Sequence, residues 1–190
     1  PYLDLADLKQ LLRRKFELPV SIQGTGSGLV RLWGPLQLNQ LSLDLDSSFF
    51  RGELAGESFD ELILNMEARD GLLKTETVEL RKAESKLRIN GKLTPEGVLD
   101  TVLIAKDFRL EQLQAIENIG LDTTGQLDAT MSIKGPFFTP QILLIGRLRQ
   151  VLLGDTPAED SRFEVEFLQK RMKGRGRIFG KSIVTKFSIP

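Results

Sequence analysis

Cysteine and histidine, the side chains behind most nucleophilic, imidazole-based and soft-metal chemistry, are both absent from this chain of 190 residues. Thiol nucleophiles, the usual zinc and iron–sulfur sites and every imidazole triad or dyad are thereby excluded. Carboxylates, glycines and a basic cluster remain. Asp44 and Asp46, two residues apart, fall on one face of a strand, where they could share a cation or an acid/base task. With no third acid at a defined spacing, they read as the wet face of a strand whose leucines point the other way. Asp155, Glu159 and Asp160 surround Pro157 in a loop and serve solvation. The stretch Gly24-Thr25-Gly26-Ser27-Gly28 resembles a phosphate loop, which requires a helix N-terminus behind it. A strand-like stretch, Leu29 to Trp33, follows instead, so a bend or bulge is expected.

Lys170, Arg171, Lys173, Arg175, Arg177 and Lys181, with Gly174, Gly176 and Gly180 between them, form a local basic cluster. Phe179 is its only aromatic, which argues against nucleic acid. Glu159, Asp160, Glu164 and Glu166 stand close enough in sequence to pair with it across a hairpin, and lipid headgroups are the alternative contact. The chain as a whole carries 26 basic and 26 acidic residues, so no net field draws it to nucleic acid or an anionic surface. Its composition, 41% apolar and 27% charged, is that of a globular domain with a core. Uninterrupted apolar runs stop at four residues (Val102 to Ala105 and Ile142 to Ile145), too short to span a bilayer as a helix. The lack of cysteine suits either a cytosol or a periplasm. A helix-like opening and a strand-like end give the expectation of a piece from a longer protein.

These residues sit on elements that the hydropathy period defines. Leu3, Leu5, Leu8, Leu11, Leu12 and Phe16 recur at three and four, which predicts a short amphipathic helix with Asp4 as its N-cap. From Val20 onward the period is two. Leu43 and Leu45 alternate with Asp44 and Asp46; Leu62, Leu64 and Met66 with Ile63, Asn65 and Glu67; Leu87 and Ile89 with Arg88 and Asn90. Leu127, Met131 and Ile133, then Phe163, Val165 and Phe167, continue the pattern. Half-buried antiparallel strands follow, despite 33 leucines, a residue that favours helix. Turn residues punctuate them at Gly34-Pro35, Gly52, Asp70-Gly71, Asn90-Gly91, Pro95 to Gly97, Gly135-Pro136, Gly154-Asp155 and Gly174 to Gly176.

An internal repeat overlies this pattern. At an offset of 101, Gly24 falls on Gly125, Val30 on Met131, Leu32 on Ile133, Gly34-Pro35 on Gly135-Pro136, Leu41 on Ile142 and Leu43 on Leu144. Upstream the offset is 105, with Leu5 on Leu110, Leu8 on Leu113 and Leu11 on Ile116, which predicts a second short helix there. The expected organisation is a first repeat unit over 1–105 and a shorter second unit over 106–190, stacked as one rod segment.

Phe59-Asp60-Glu61-Leu62, Arg69 to Leu73, Ser85 to Gly91, Gly97 to Asp100 and Phe108 to Leu113 form a pattern that resembles the AsmA/TamB family. Gly125-Gln126-Leu127 through Gly135-Pro136-Phe137-Phe138-Thr139-Pro140 is similar to that family's recurrent G-x-L followed by G-P-x-x-x-P. The resemblance implies an elongated, curled antiparallel sheet, all-β with short amphipathic helices, whose apolar groove carries phospholipid between inner and outer membranes. It implies a periplasmic rod held in the inner membrane by an N-terminal anchor, expected to be missing from this piece. In TamB-type members it also implies a scaffold for outer-membrane β-barrel assembly. Phospholipid acyl chains are then the expected partner, an outer-membrane β-barrel protein a second one, and no cofactor, metal or catalytic group is expected. The expected groove lining is Leu43, Leu45, Leu62, Leu64, Met66, Leu87, Ile89, Leu127, Met131, Ile133, Ile142, Leu144, Phe163, Val165 and Phe167.

Overall fold

A computed structural model describes residues 2–4, 22–35, 40, 42–54, 56–113, 118, 120, 122–169 and 171–188. Period-two alternation prevails over leucine's helix propensity because each strand has neighbours on which to lay its apolar face. Thirteen strands form one antiparallel sheet: β1 (Tyr2–Asp4), β2 (Ile22–Trp33), β3 (Ser42–Leu54), β4 (Glu57–Arg69), β5 (Leu72–Lys82), β6 (Ser85–Leu93), β7 (Val98–Arg109), β8 (Thr123–Pro136), β9 (Gln141–Leu153), β10 (Thr156–Pro157), β11 (Ser161–Leu168), β12 (Arg171–Ile178) and β13 (Lys181–Ser188). Each pairs with the next in a meander, except that the short β10 pairs only with β9 while β11 takes β9's free side. The sheet is curled and groove-like, and it does not close.

The helical expectations need correction at their described ends. Tyr2–Asp4 is a strand paired with Thr25–Ser27, and the rest of the expected first helix, residues 5–21, lies outside the described residues. At the second, Leu110–Gln112 makes a single 3-10 turn, Leu113 is already extended, and 114–117 lie outside the described residues. The sheet claims this stretch: Phe108 and Arg109 pair with Leu127 and Gln126, and Leu110 is buried. Lys82 Nζ donates to the Gln112 carbonyl, holding the turn against the edge of β5.

Turn residues divide in the same way. Asp70-Gly71, Pro95 to Gly97 and Gly154-Asp155 do connect strands. Gly52, Gly91, Gly174 and Gly176 instead lie inside β3, β6 and β12. A side chain on Gly91 would collide with Thr101, and one on Gly176 with the Arg162 carbonyl and Phe163, so close approach explains these glycines where a turn does not.

The repeat is present in backbone detail. Gly24 and Gly125 have φ of 155° and 150°, and both sit at register shifts. Gly34 and Gly135 share a φ of 97°. The upstream offset of 105 also has a counterpart, since β1 pairs with β2 as the end of β7 pairs with β8. Beyond the Gly-Pro turn, however, the offset of 101 becomes 99. Leu32 pairs with Leu43 where Ile133 pairs with Ile142, and Arg51 and Gln150 take the same left-handed conformation at φ 52° and 51°. Leu43 therefore corresponds to Ile142, not Leu144, because the second turn is two residues shorter. An even deletion preserves which face each side chain takes, so it was invisible in the alternation. The sheet is unbroken across 105/106, which falls within β7.

Candidate functional site

Register assigns every side chain of the central strands to one of two faces. One row runs Ser47, Leu64, Val78, Ile89, Leu103, Met131, Leu144, Val165 from β3 to β11. The row beside it runs Phe49, Leu62, Leu80, Leu87, Ala105, Ala129, Gly146, Phe163. On the other side Leu45, Met66, Thr75, Gly91, Thr101, Ile133, Ile142, Phe167 follow the same path. With Leu43 opposite Ala68 and Leu127 opposite Phe108, all fifteen residues of the expected lining share one face.

That face is dry only at one end. Phe49, Phe59, Leu62, Val78 and Leu80 form a buried cluster, with Leu64, Met66, Leu87 and Ile89 packed against it. Of the fifteen, Leu45 and Leu62 are buried and the other thirteen are half-buried, and no described element lies over them. The strands β8, β9 and β11 thus present Met131, Leu144, Phe163 and their neighbours to an open trough. Phe163 leans across Gly146, where a larger residue would meet its ring, so an aromatic covers backbone that would otherwise face the trough bare.

Several members of the face were not readable from alternation. Val78 and Leu80 follow a register shift between Thr75 and Val78, and Phe108 follows another after Ala105. Leu103 sits in an all-apolar run that has no alternation to read. Phe49 was hidden beside Phe50, which is half exposed on the opposite face.

The other face is ionic. Arg69 donates to Asp44 at 2.6 Å and to the Leu43 carbonyl, and its guanidinium stacks 4.4 Å from the Trp33 ring centre. Asp44 is therefore engaged structurally and does not pair with Asp46 around a cation. Glu79, 4% exposed, accepts from Arg81 Nε at 2.6 Å and Arg88 at 2.8 Å, which together hold its carboxyl below the ordinary value against the opposing effect of burial. Asp160 is likewise lowered by the hydrogen bond from Arg147. The basic segment pairs across its hairpin as expected, Arg175 with Glu164 at 2.8 Å and Arg177 with Glu159 at 3.9 Å. Gly24 is a bulge, while Gly26 and Gly28 lie within β2 opposite Phe49 and Ser47, so the glycine-rich stretch cradles side chains of the neighbouring strand.

Fold and face together define a class: an open, repeat-like antiparallel sheet, largely ionic on one side and largely apolar on the other. No protein-family model matches the chain, and no curated protein or solved structure matches it.

Proposed function

We propose that the chain is a segment of a lipid conduit, a periplasmic bridge of AsmA/TamB type whose apolar face carries phospholipid acyl chains between inner and outer membranes without chemistry. The observation that supports this most is the row from Leu64 to Val165, an unbroken line of apolar side chains over seven strands that, from Leu103 through Met131 and Leu144 to Val165, is half-buried with no described element over it. At the spacing of neighbouring strands such a row runs about 29 Å, roughly twice the depth of one bilayer leaflet, so an extended acyl chain fits along it. Each methylene moved from water onto the face gains about 0.8 kcal/mol if fully covered, and less in an open trough, which lets a chain slide onward instead of being trapped.

Lipid extracted from the purified protein and identified by mass spectrometry tests this reading. Leu64 packs on the buried cluster, so Arg there would disturb folding as well as lining. Met131 lies outside that cluster, and Asn65 is on the opposite face, across from Asp46 and Thr77. Met131→Arg should keep the β spectrum and lose most of the bound lipid, whereas Asn65→Arg should keep both. Wild-type protein free of lipid, or equal occupancy in the two folded variants, would overturn the proposal.

A further inference from the structure

The two longest apolar runs of the sequence break the alternation, and they do so side by side. Val102 and Ile104 in β7 and Leu143 and Ile145 in β9 all point to the ionic face, joined through Ser132 and Thr130 of β8. These four aliphatic side chains, grouped on the ionic face, are not part of the trough, and Ile145 is half exposed.

Directly beside them, Arg147, Arg162 and Arg177 stand opposite one another on β9, β11 and β12. Like charges directly opposed across strands are unfavourable unless something compensates them. Asp160 takes Arg147 at 2.6 Å and Glu159 lies 3.9 Å from Arg177, but Arg162, the middle of the row, has no ion-pair partner among the described residues. Lys106, exposed at the same end of β7, has none either. Lys106, Arg147, Arg162 and Arg177 line one shallow depression of about 930 Å³ together with Ile104, Ile145 and Val184. Its carboxylates are already taken, Asp107 and Asp128 by Arg149 and Glu164 by Arg175, and Val102 and Leu143 adjoin it two residues along their strands.

We infer that this depression is a binding site for a single anionic amphiphile, an alkyl phosphate in chemical class, with the phosphate at Arg162 and the alkyl chain over Ile104 and Ile145, leaving the depression across the adjoining Val102 and Leu143. A guanidinium fork matches a phosphate edge with two hydrogen bonds, and a dianion supplies what the arginine row lacks. The aliphatic strip gives the tail a surface that inorganic phosphate cannot use. This site is on the face opposite the proposed lipid trough and does not depend on that reading.

The absence of cysteine makes the test direct. An environment-sensitive fluorophore on Thr130→Cys sits between Ile104 and Ile145, and the same label on Met131→Cys reports the trough. Dodecyl phosphate, kept below its micelle concentration, should shift the Thr130→Cys label saturably, with inorganic phosphate and uncharged dodecyl maltoside each at least about tenfold weaker. Arg162 is exposed and unpaired, so Arg162→Gln should keep the β spectrum; it should weaken the Thr130→Cys response about tenfold and leave the Met131→Cys response unchanged. A response seen only from Met131→Cys, an affinity untouched by Arg162→Gln, or inorganic phosphate binding as tightly as dodecyl phosphate would each overturn the inference.

Discussion

Glu79 is the only ionisable side chain among the described residues that the fold takes out of water, and it survives there because each of its oxygens receives one guanidinium. Nothing in the sequence marks it out, since it alternates with apolar neighbours like the exposed acids of the same face. Both partners are themselves well exposed, which limits what the pair contributes, so Glu79→Gln should cost about 1–2 kcal/mol at neutral pH. The pH dependence has a definite sign. Because the folded carboxyl titrates below its ordinary 4.5, its stabilisation is fully present above that value and is lost as pH falls through the lower folded one. Urea unfolding from pH 7 downward should show wild type and Glu79→Gln converging only in that acidic range; a constant difference would refute the assignment.

At the scale of elements, glycine decides where β2 can lie. A side chain on Gly26 would collide with the Ser48 carbonyl and the Phe49 backbone, atoms that cannot swing aside. Replacing a strand glycine by alanine normally stabilises by about 0.5–1 kcal/mol, but here overpacking reverses the sign. Gly26→Ala should destabilise by about 1–3 kcal/mol, while Ser27→Ala on the exposed side should stay within about 0.5. Urea midpoints at unchanged slope measure both, and a stabilised Gly26→Ala would show that β2 does not pack this closely on β3. The 3-10 turn at Leu110–Gln112 teaches a related lesson. Leucine spacing of three and four suits a helix, yet Phe108 and Arg109 are held in the sheet and leave too few residues before Leu113 to propagate one.

The whole molecule exposes 12669 Å², against about 9,100 Å² for a compact monomer of its mass. Among the described residues no second layer lies on the apolar face of the sheet, so much of that face is already hydrated before unfolding. The heat capacity of unfolding, which tracks newly exposed apolar area, should therefore fall below the usual 12–15 cal/mol/K per residue, roughly, when lipid-free protein is scanned calorimetrically. A value inside that range would mean that the trough is covered in solution.

Alternation along β3, β4, β6, β8 and β11 was enough to place thirteen of the fifteen expected lining residues on one face, because a strand's period of two leaves its side chains no other choice once pairing is in register; Ile142 and Leu144, inside the all-apolar run of β9, were placed through the repeat. The repeat was legible for the same reason: Gly24 and Gly125, or Gly34 and Gly135, meet backbone angles that few other residues accept. Pairing across strands was not legible. Only the folded sheet shows that the second Gly-Pro turn is two residues shorter, that bulges carry Val78 and Phe108 onto the apolar face, and that Arg147, Arg162 and Arg177 stand in line. Local periodicity sets the face of a residue, whereas its neighbours across the sheet depend on turn lengths and register shifts summed along the chain, and those are properties of the assembled sheet.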